Sequence, residues 1–145
     1  APAGALRAIL RHFFPRPKRE ETIMLKSEKV LGGYTIVERH IQDYFFEHLD
    51  EYLPNAKRVI RDDIARDDRR GIPDGWVMLR GCLCPVEVKQ RTFGSWAMSQ
   101  LDSYLTNYHC QHGIAVAEKF AYTVPRTSRV TRILIPVDRT AEARS

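Results

Sequence analysis

The sequence predicts an α/β fold in which helices flank a mixed central β-sheet. A stripe of apolar residues at helical spacing opens the pattern, and three strand-like segments follow it. A second amphipathic segment comes next. After it stands a short apolar run bounded by glycine, which is typical of a strand buried on both faces. The predicted order is helix, three strands, helix and strand, with one more strand near the end of the chain.

The first helix is predicted over residues 35–53, with Thr35 as its capping residue. Glu38 lies within its apolar stripe, and a carboxylate on a buried helix face must be hydrogen-bonded, paired or bound to a cation. A salt bridge to a core-facing arginine and exposure to water at the first turn are the alternatives to a metal-binding role. The stripe itself consists of Val37, Ile41, Tyr44, Phe45, His48, Leu49 and Tyr52.

Strand-like segments account for most of the remaining chain, because runs of branched and aromatic residues alternate with turn-forming residues. A second amphipathic helix separates the third strand from the fourth, and a short loop precedes that helix. In chain order the predictions are strands 57–65, 75–79 and 82–89, loop 90–94, helix 95–108, and strands 113–117 and 131–136.

Acidic and basic side chains converge where the second and third strands meet. The stretch Gly71-Ile-Pro-Asp74 precedes the second strand, and Glu87-Val-Lys89 ends the third. Because residues two apart on a strand share a face, Glu87 and Lys89 point the same way. Two carboxylates at one point are ligands for a hard cation such as Mg²⁺, and a lysine beside them can orient water or stabilise charge on a phosphate. The pattern therefore indicates metal-assisted phosphodiester hydrolysis.

Basic and aromatic residues flank these carboxylates. Arg69 and Arg70 stand a few residues before the first of them, and for this pair a phosphate contact and an ordinary solvated turn are both open. Arg91 is a candidate phosphate ligand. Phe93 or Trp96 is a candidate surface for stacking a base, although aromatic residues near helix starts more often belong to the core.

The pattern resembles the PD-(D/E)XK nuclease superfamily in its literal residues, Pro73-Asp74 followed by Glu87-X-Lys89. Gly71 extends the first element to Gly-X-Pro-Asp, which looks like the stand-alone virus-type replication-repair nucleases.

A second element of the resemblance follows the lysine. Gln100 and Tyr104 match the Gln-XXX-Tyr element of recombination-type exonucleases in the same superfamily, and Glu38 stands where such enzymes often carry an upstream acid. The resemblance covers roughly residues 34–119. It leaves the branch open, since the two elements point to different branches.

The resemblance implies a restriction-endonuclease-like core, αβββαβ in order, and Mg²⁺-dependent hydrolysis of DNA in which Mn²⁺ can replace Mg²⁺. It implies that Asp74 and Glu87 bind the metal, that the Val88 carbonyl completes the first shell, and that Glu38 contributes directly or through a water. Lys89 would orient the attacking water and stabilise the charge that develops on the phosphate.

The same resemblance implies roles further along the chain. Gln100 would support Lys89, and Tyr104 would lie with Arg91 beside the DNA. The resembled stand-alone enzymes often act as homodimers, sometimes on four-way junctions. A homodimer acting on branched DNA in repair or recombination is therefore expected, with end-dependent exonuclease action left open.

Two other interpretations compete with a nuclease. One is a non-catalytic DNA-binding or complex-assembly module with a nuclease fold. The other is a zinc-stabilised domain that uses Cys82, Cys84, His109, Cys110 and His112. Their spacing fits no common structural zinc pattern, and the two strand cysteines share the apolar face of the neighbouring valines.

Composition bounds the remaining expectations. A chain of 145 residues is expected to form one domain over 24–145, preceded by a basic arm or leader over 1–23. The net charge of +5 suits a polyanionic partner, and three cysteines favour a reducing compartment, so a cytoplasmic, non-secreted protein is expected. No apolar run approaches membrane-spanning length, and no glycine-rich phosphate loop indicates a nucleotide cofactor.

Overall fold

The computed structural model describes residues 36–64 and 71–138. The predicted arm over 1–23, the capping residue Thr35 and the arginine pair Arg69 and Arg70 lie outside these residues. The elements in chain order are α1 (Glu38–Glu47), α2 (Leu49–Tyr52), β1 (Lys57–Val59), β2 (Gly75–Leu79), β3 (Cys82–Phe93), α3 (Ser95–Asn107), β4 (Gly113–Phe120) and β5 (Val130–Leu134).

The strands form one five-stranded mixed sheet in the order β1-β2-β3-β4-β5. The pairs β1–β2 and β2–β3 are antiparallel, whereas the pairs β3–β4 and β4–β5 are parallel. Helix α3 provides the crossover between β3 and β4, since parallel neighbours cannot be joined by a tight turn. The predicted α/β class with a mixed sheet and flanking helices is confirmed.

Most element boundaries agree with the sequence predictions. β2 has the predicted limits, α3 ends one residue earlier than predicted, and β4 continues three residues further, to Phe120. Among the described residues, no helix is both long and apolar enough to span a membrane.

The prediction of one continuous helix over 35–53 was wrong. The helix breaks at His48, whose φ of −114° and ψ of 27° are not helical. Its Nδ1 lies 2.9 Å from the Tyr44 carbonyl oxygen, and its ring stacks on that of Tyr44 with centroids 4.1 Å apart. The same carbonyl also accepts the His48 backbone N–H at 3.1 Å. Because the backbone of His48 is not helical, α1 ends at Glu47 and α2 begins at Leu49.

The first predicted strand, 57–65, is too long. β1 covers only Lys57–Val59, which pairs with β2 as far as Trp76. Ile60 is 68% exposed, so it does not continue the buried pattern. Only one further residue of β2 remains beyond Trp76, and β1 therefore has little partner left to pair with.

The prediction of a loop over 90–94 was also wrong, since β3 continues through these residues to Phe93. Its pairing with β4 shifts register between Lys89 and Thr92, which marks a β-bulge. Arg91 lies in this bulge with a φ of 60°, a conformation that few non-glycine residues adopt.

The two faces of the sheet bury separate apolar clusters. Helices α1 and α2 cover one face, where Phe45 packs with Val86 and Val88. Cys84 belongs to this cluster, which confirms that it shares the face of the two valines. Helix α3 covers the other face, where Leu101 packs with Ala115 and Ala117. Glu87 lies between the two valines on β3 and therefore points to the α3 face.

Candidate metal centre

Asp74 is held by the backbone of β3. It stands immediately before β2, whose first residue, Gly75, pairs with Val86. Just beyond this last pair, the Val88 N–H donates to Asp74 Oδ2 at 2.7 Å. The Gln42 side chain of α1 donates to the Asp74 carbonyl at 3.2 Å. These two bonds fix the residue to the sheet and to the helix together.

Glu87 and Lys89 share one strand face, as predicted. Glu87 is 3% exposed, and its carboxyl group is hydrogen-bonded to that of Asp74. Lys89 Nζ lies 3.7 Å from Glu87 Oε2, and the lysine side chain is about a quarter exposed. The three groups predicted from the sequence thus meet at one point.

This environment disfavours the charged form of Glu87. Burial raises its pKa from the ordinary value of 4.5 to about 9, and the hydrogen bond and negative charge of Asp74 act in the same direction. The Lys89 ammonium lowers it only in part. Without a cation the pair holds a proton, which a bound divalent ion would replace.

Glu38 reaches the same cluster from the first turn of α1. Burial raises its pKa, the Lys89 charge opposes that shift, and the Asp74 charge adds to it. The backbone N–H of Gln90 donates to its carboxylate. The predicted upstream acid therefore lies within electrostatic range of the other three groups, at the start of the helix.

The Val88 carbonyl, the fourth predicted ligand, faces the correct edge of β3. A strand residue directs its N–H and its C=O to the same edge, and the Val88 N–H points to Asp74. The β2–β3 pairing ends at Val86, so the ladder does not extend to this carbonyl.

Gln100 and Tyr104 lie on α3, one turn apart. The Gln100 Oε1 is buried and has no hydrogen-bond partner among the described residues, so it does not accept a bond from Lys89. Tyr104 is 4% exposed, and its hydroxyl donates to the Ile72 carbonyl at 3.4 Å. That leaves Tyr104 little surface for the predicted DNA contact, and the side chain instead supports the loop before Asp74.

The loop before Asp74 depends on glycine. Gly71 has a φ of 79°, and a Cβ there would lie 3.1 Å from Tyr104 Cε1. The Tyr108 hydroxyl donates to the Gly71 carbonyl. The tyrosines of α3 therefore hold the loop that carries the first carboxylate.

The bulge after Lys89 has a partner that sequence reasoning missed. The Glu118 carboxylate on β4 is 9% exposed and accepts a hydrogen bond from the Arg91 N–H. A bulge leaves such an N–H without a ladder partner, and this acid satisfies it. Arg91 itself is exposed, as a phosphate ligand would need to be. Gln42, which bonds to the Asp74 carbonyl, is another residue that sequence reasoning missed. Unlike Glu118 it had a signal in the sequence, because it stands one helical turn after Glu38.

The oxygen donors at this site suit a hard cation that needs only a few protein ligands. No three His, Cys, Asp or Glu side chains in the described ranges are grouped closely enough to hold a metal ion by themselves. Mg²⁺ commonly binds through one or two carboxylates and keeps several waters, and Asp74 with Glu87 fits that demand. The unpartnered Gln100 oxygen is a further hard donor near Tyr104.

The zinc alternative receives no such support in the described ranges. Cys84 is buried, and its Sγ lies 3.6 Å from the Cys82 carbonyl. The Cys110 Sγ lies 3.6 Å from the Tyr108 carbonyl, and His112 lies 2.7 Å from the Thr131 hydroxyl. These side chains satisfy local partners rather than one another.

Comparison of the chain with protein-family models, curated proteins and solved structures found no match.

Proposed function

We propose that this chain is a Mg²⁺-dependent deoxyribonuclease with a restriction-endonuclease-like core of the PD-(D/E)XK type, acting in DNA repair or recombination. One observation carries the proposal. The Asp74 carboxylate, bonded to the Val88 N–H, contacts the buried Glu87 carboxyl, and Lys89 Nζ lies 3.7 Å from that group. Glu87 is buried beside a second carboxyl in a place where its charge is disfavoured, an arrangement that a bound cation would stabilise.

The position of the cluster supports a site open to substrate. Asp74 precedes β2 and Lys89 lies in the second half of β3, so the cluster is nearer the carboxyl ends of the parallel strands β3 and β4 than their amino ends. Ligands of open α/β sheets bind at that end.

The chemistry follows from the groups present. Bound Mg²⁺ would polarise the phosphodiester and lower the pKa of a coordinated water. Asp74, Glu87 and the Val88 carbonyl would hold the ion. Lys89 would orient the attacking water and stabilise negative charge on the phosphate as the transition state forms. Glu38 would bond to a water on the exposed side of the cluster.

A second candidate is a non-catalytic DNA-binding or assembly module with the same fold. One observation favours it, namely that the described residues contain no group of three side chains able to hold a metal ion alone. Such a module would bind DNA equally well with and without a divalent cation.

The decisive experiment compares cleavage by the native chain with cleavage by Lys89→Ala and Asp74→Asn. Single-stranded, duplex, flapped and four-way DNA would each be incubated with Mg²⁺ or Mn²⁺. Both variants should lose activity by about 10²–10³-fold or more, because each removes one group that stabilises the transition state. Lys57→Ala and Asp102→Asn are the matched controls, since both residues are exposed and distant in sequence from the cluster.

Cleavage that survives both site substitutions, with folding unchanged by circular dichroism, would contradict the nuclease assignment. Binding of DNA with no cleavage of any substrate would favour the non-catalytic module. Calorimetric titration with Mn²⁺ also distinguishes the nuclease from the non-catalytic module. Only the nuclease requires tight Mn²⁺ binding, which Asp74→Asn should weaken.

A homodimer is proposed for cleavage of branched DNA, because one active site per chain can cut only one strand at a time. Light scattering with and without DNA tests this part. A strict monomer in both conditions would exclude paired cutting of a junction and leave the cleavage chemistry itself unaffected.

A further inference from the structure

The carboxyl ends of β3 and β4 form a junction beside the candidate metal centre. Phe93 and Phe120 are register partners, and their ring centroids lie 5.4 Å apart. The Ala121 N–H donates to the Phe93 carbonyl at 3.0 Å, which closes the end of the pairing. From this junction one chain segment enters α3 and the other enters the loop that leads to β5.

Two large aromatic side chains leave this junction into solvent. Trp96, three residues after Phe93, is 78% exposed, and Tyr122, two residues after Phe120, is 98% exposed. The contrast with the second tryptophan is informative, because Trp76 is 4% exposed. Single exposed aromatics are common on protein surfaces, but two that flank one strand end offer flat faces for stacking.

Positive charge surrounds the same junction. Arg91 and Lys119 are exposed near the carboxyl ends of the two strands. The Arg132 guanidinium lies 5.0 Å from the Phe120 ring centre and donates to the Val124 and Pro125 carbonyls.

A further cation lies close to that guanidinium. Burial lowers the pKa of Arg132, and the charge of the exposed Arg126 lowers it further, so the two cations stand near each other. The acid on these strand ends, Glu118, is buried against the Arg91 N–H. The solvent side of the junction is therefore basic.

The spacing suits one continuous ligand. Lys89 and Phe93 pair with Ala117 and Phe120, which are three residues apart on β4, about 10 Å at the usual rise of a strand. A strand of nucleic acid whose phosphate lies at the metal centre would thus have neighbouring nucleotides at the aromatic junction.

We infer that Trp96 and Tyr122, with Arg91 and Lys119, form a stacking platform for unpaired bases. The substrate of the proposed nuclease is then DNA with a single-stranded segment at the cut, such as a flap, a frayed end or a free strand. Aromatic faces bind every base by stacking and basic side chains follow the backbone, which is how single strands are bound without sequence preference. Bases paired inside a duplex cannot present these faces. The inference rests on the proposed function for the cleavage step but not for the binding step.

Tryptophan fluorescence tests the binding step directly, because the chain has two tryptophans and one is buried. The native protein in EDTA would be titrated with oligothymidylate and with a blunt duplex of equal length. Oligothymidylate should quench the emission of the exposed Trp96, and the duplex should quench it far less. Trp96→Phe should lose the quenching while the emission of Trp76 persists.

Affinity measured by anisotropy of a labelled oligothymidylate gives the energetic test. Trp96→Ala and Tyr122→Ala should each weaken binding by about tenfold or more, and the double variant further. Ile60→Ala, another exposed apolar residue, is the control that should leave binding unchanged. Equal binding of single strands and duplex, or single-strand binding unaffected by the double variant, would overturn the platform.

The two proposals fail separately. Cleavage abolished by Lys89→Ala together with binding insensitive to the aromatic variants would leave a nuclease without this platform. Single-strand binding that needs Trp96 and Tyr122, without cleavage in any metal, would keep the platform and remove the nuclease.

Discussion

The two faces of the sheet differ in what they bury. The face beneath α1 and α2 is a continuous apolar cluster, in which Phe45, Val86 and Val88 are fully buried. The face beneath α3 contains a second apolar cluster but also buries Glu87, with Lys89 beside it. Because successive residues of β3 point to opposite faces, one segment supplies both the buried valines of the core and the residues of the site.

This difference indicates that one face of the sheet mainly stabilises the fold and the other carries the candidate site. The α1 face is apolar where Phe45 packs with Val86 and Val88, whereas the α3 face keeps a carboxyl in a place where its charge is disfavoured. Substitutions in the apolar cluster of the first face should alter stability without altering chemistry, whereas substitutions of Glu87 or Lys89 should alter the chemistry directly.

The largest expected effect on stability is that of Phe45→Ala. Phe45 is fully buried, with ring centroids 5.1 Å from Phe46 and 5.9 Å from Tyr52, so truncation leaves a cavity. We expect a loss of about 3–5 kcal/mol in the free energy of unfolding, measured in urea. Val37→Ala, at a site 40% exposed, should change it by less than about 0.5 kcal/mol. Loss of Mn²⁺ binding in folded Phe45→Ala would argue against this separation of stability from metal binding.

The pH dependence of stability sharpens the comparison on the other face. Since the folded-state pKa of Glu87 is raised from 4.5 to about 9, the folded protein keeps a proton that the unfolded chain releases above pH 4.5. The free energy of unfolding of metal-free protein should therefore fall as pH rises between these values, by at most about 1.4 kcal/mol per pH unit.

Glu87→Gln isolates the contribution of this carboxyl to the pH dependence of stability, because an amide mimics the protonated acid at every pH. The variant should lose the decline with pH, and it should lose cleavage as well. Asp102→Asn, on the exposed side of α3, should retain the native slope. Added Mg²⁺ should stabilise the native protein more at pH 8 than at pH 6, since the ion replaces the proton. Parallel curves for native protein and Glu87→Gln would refute the assignment of the proton.

A smaller effect is expected from Glu118, which supports the bulge behind Lys89. Glu118→Ala leaves the Arg91 N–H without its acceptor, so we expect a loss of about 1–3 kcal/mol in stability. The cleavage rate at saturating substrate should fall about tenfold as Lys89 loses its orientation, with little change in KM. Glu118→Gln keeps an acceptor oxygen and should restore most of the rate. Equal losses in both variants would mean that the charge, not the bulge geometry, matters.

Sequence reasoning found the local features and missed those that depend on distant partners. Strand alternation and turn residues predicted β2, and the motif residues Asp74, Glu87 and Lys89 lie together as expected. The apolar stripe runs unbroken past His48, so it did not indicate that the helix breaks at that residue.

The end of β3 was missed because it depends on pairing with a distant strand. Residues 90–92 are polar and exposed, and they form a strand only because β4 extends alongside them. Glu118 has meaning only once the bulge exists, so no pattern in the sequence could have marked it. The orientation of Arg91 follows from the same bulge.

The antiparallel pairing of β2 with β3 also bears on how the protein reaches its folded state. Asp74 and Val88 are 14 residues apart and belong to one hairpin, a unit that can close in about 1–10 μs. The parallel strand β4 can pair with β3 only after α3 has crossed the sheet. That step closes a longer loop and therefore has a larger entropy cost. The first carboxylate and the segment that carries the second therefore meet early in folding. The helix that shelters them and the strand that sets the bulge arrive afterwards.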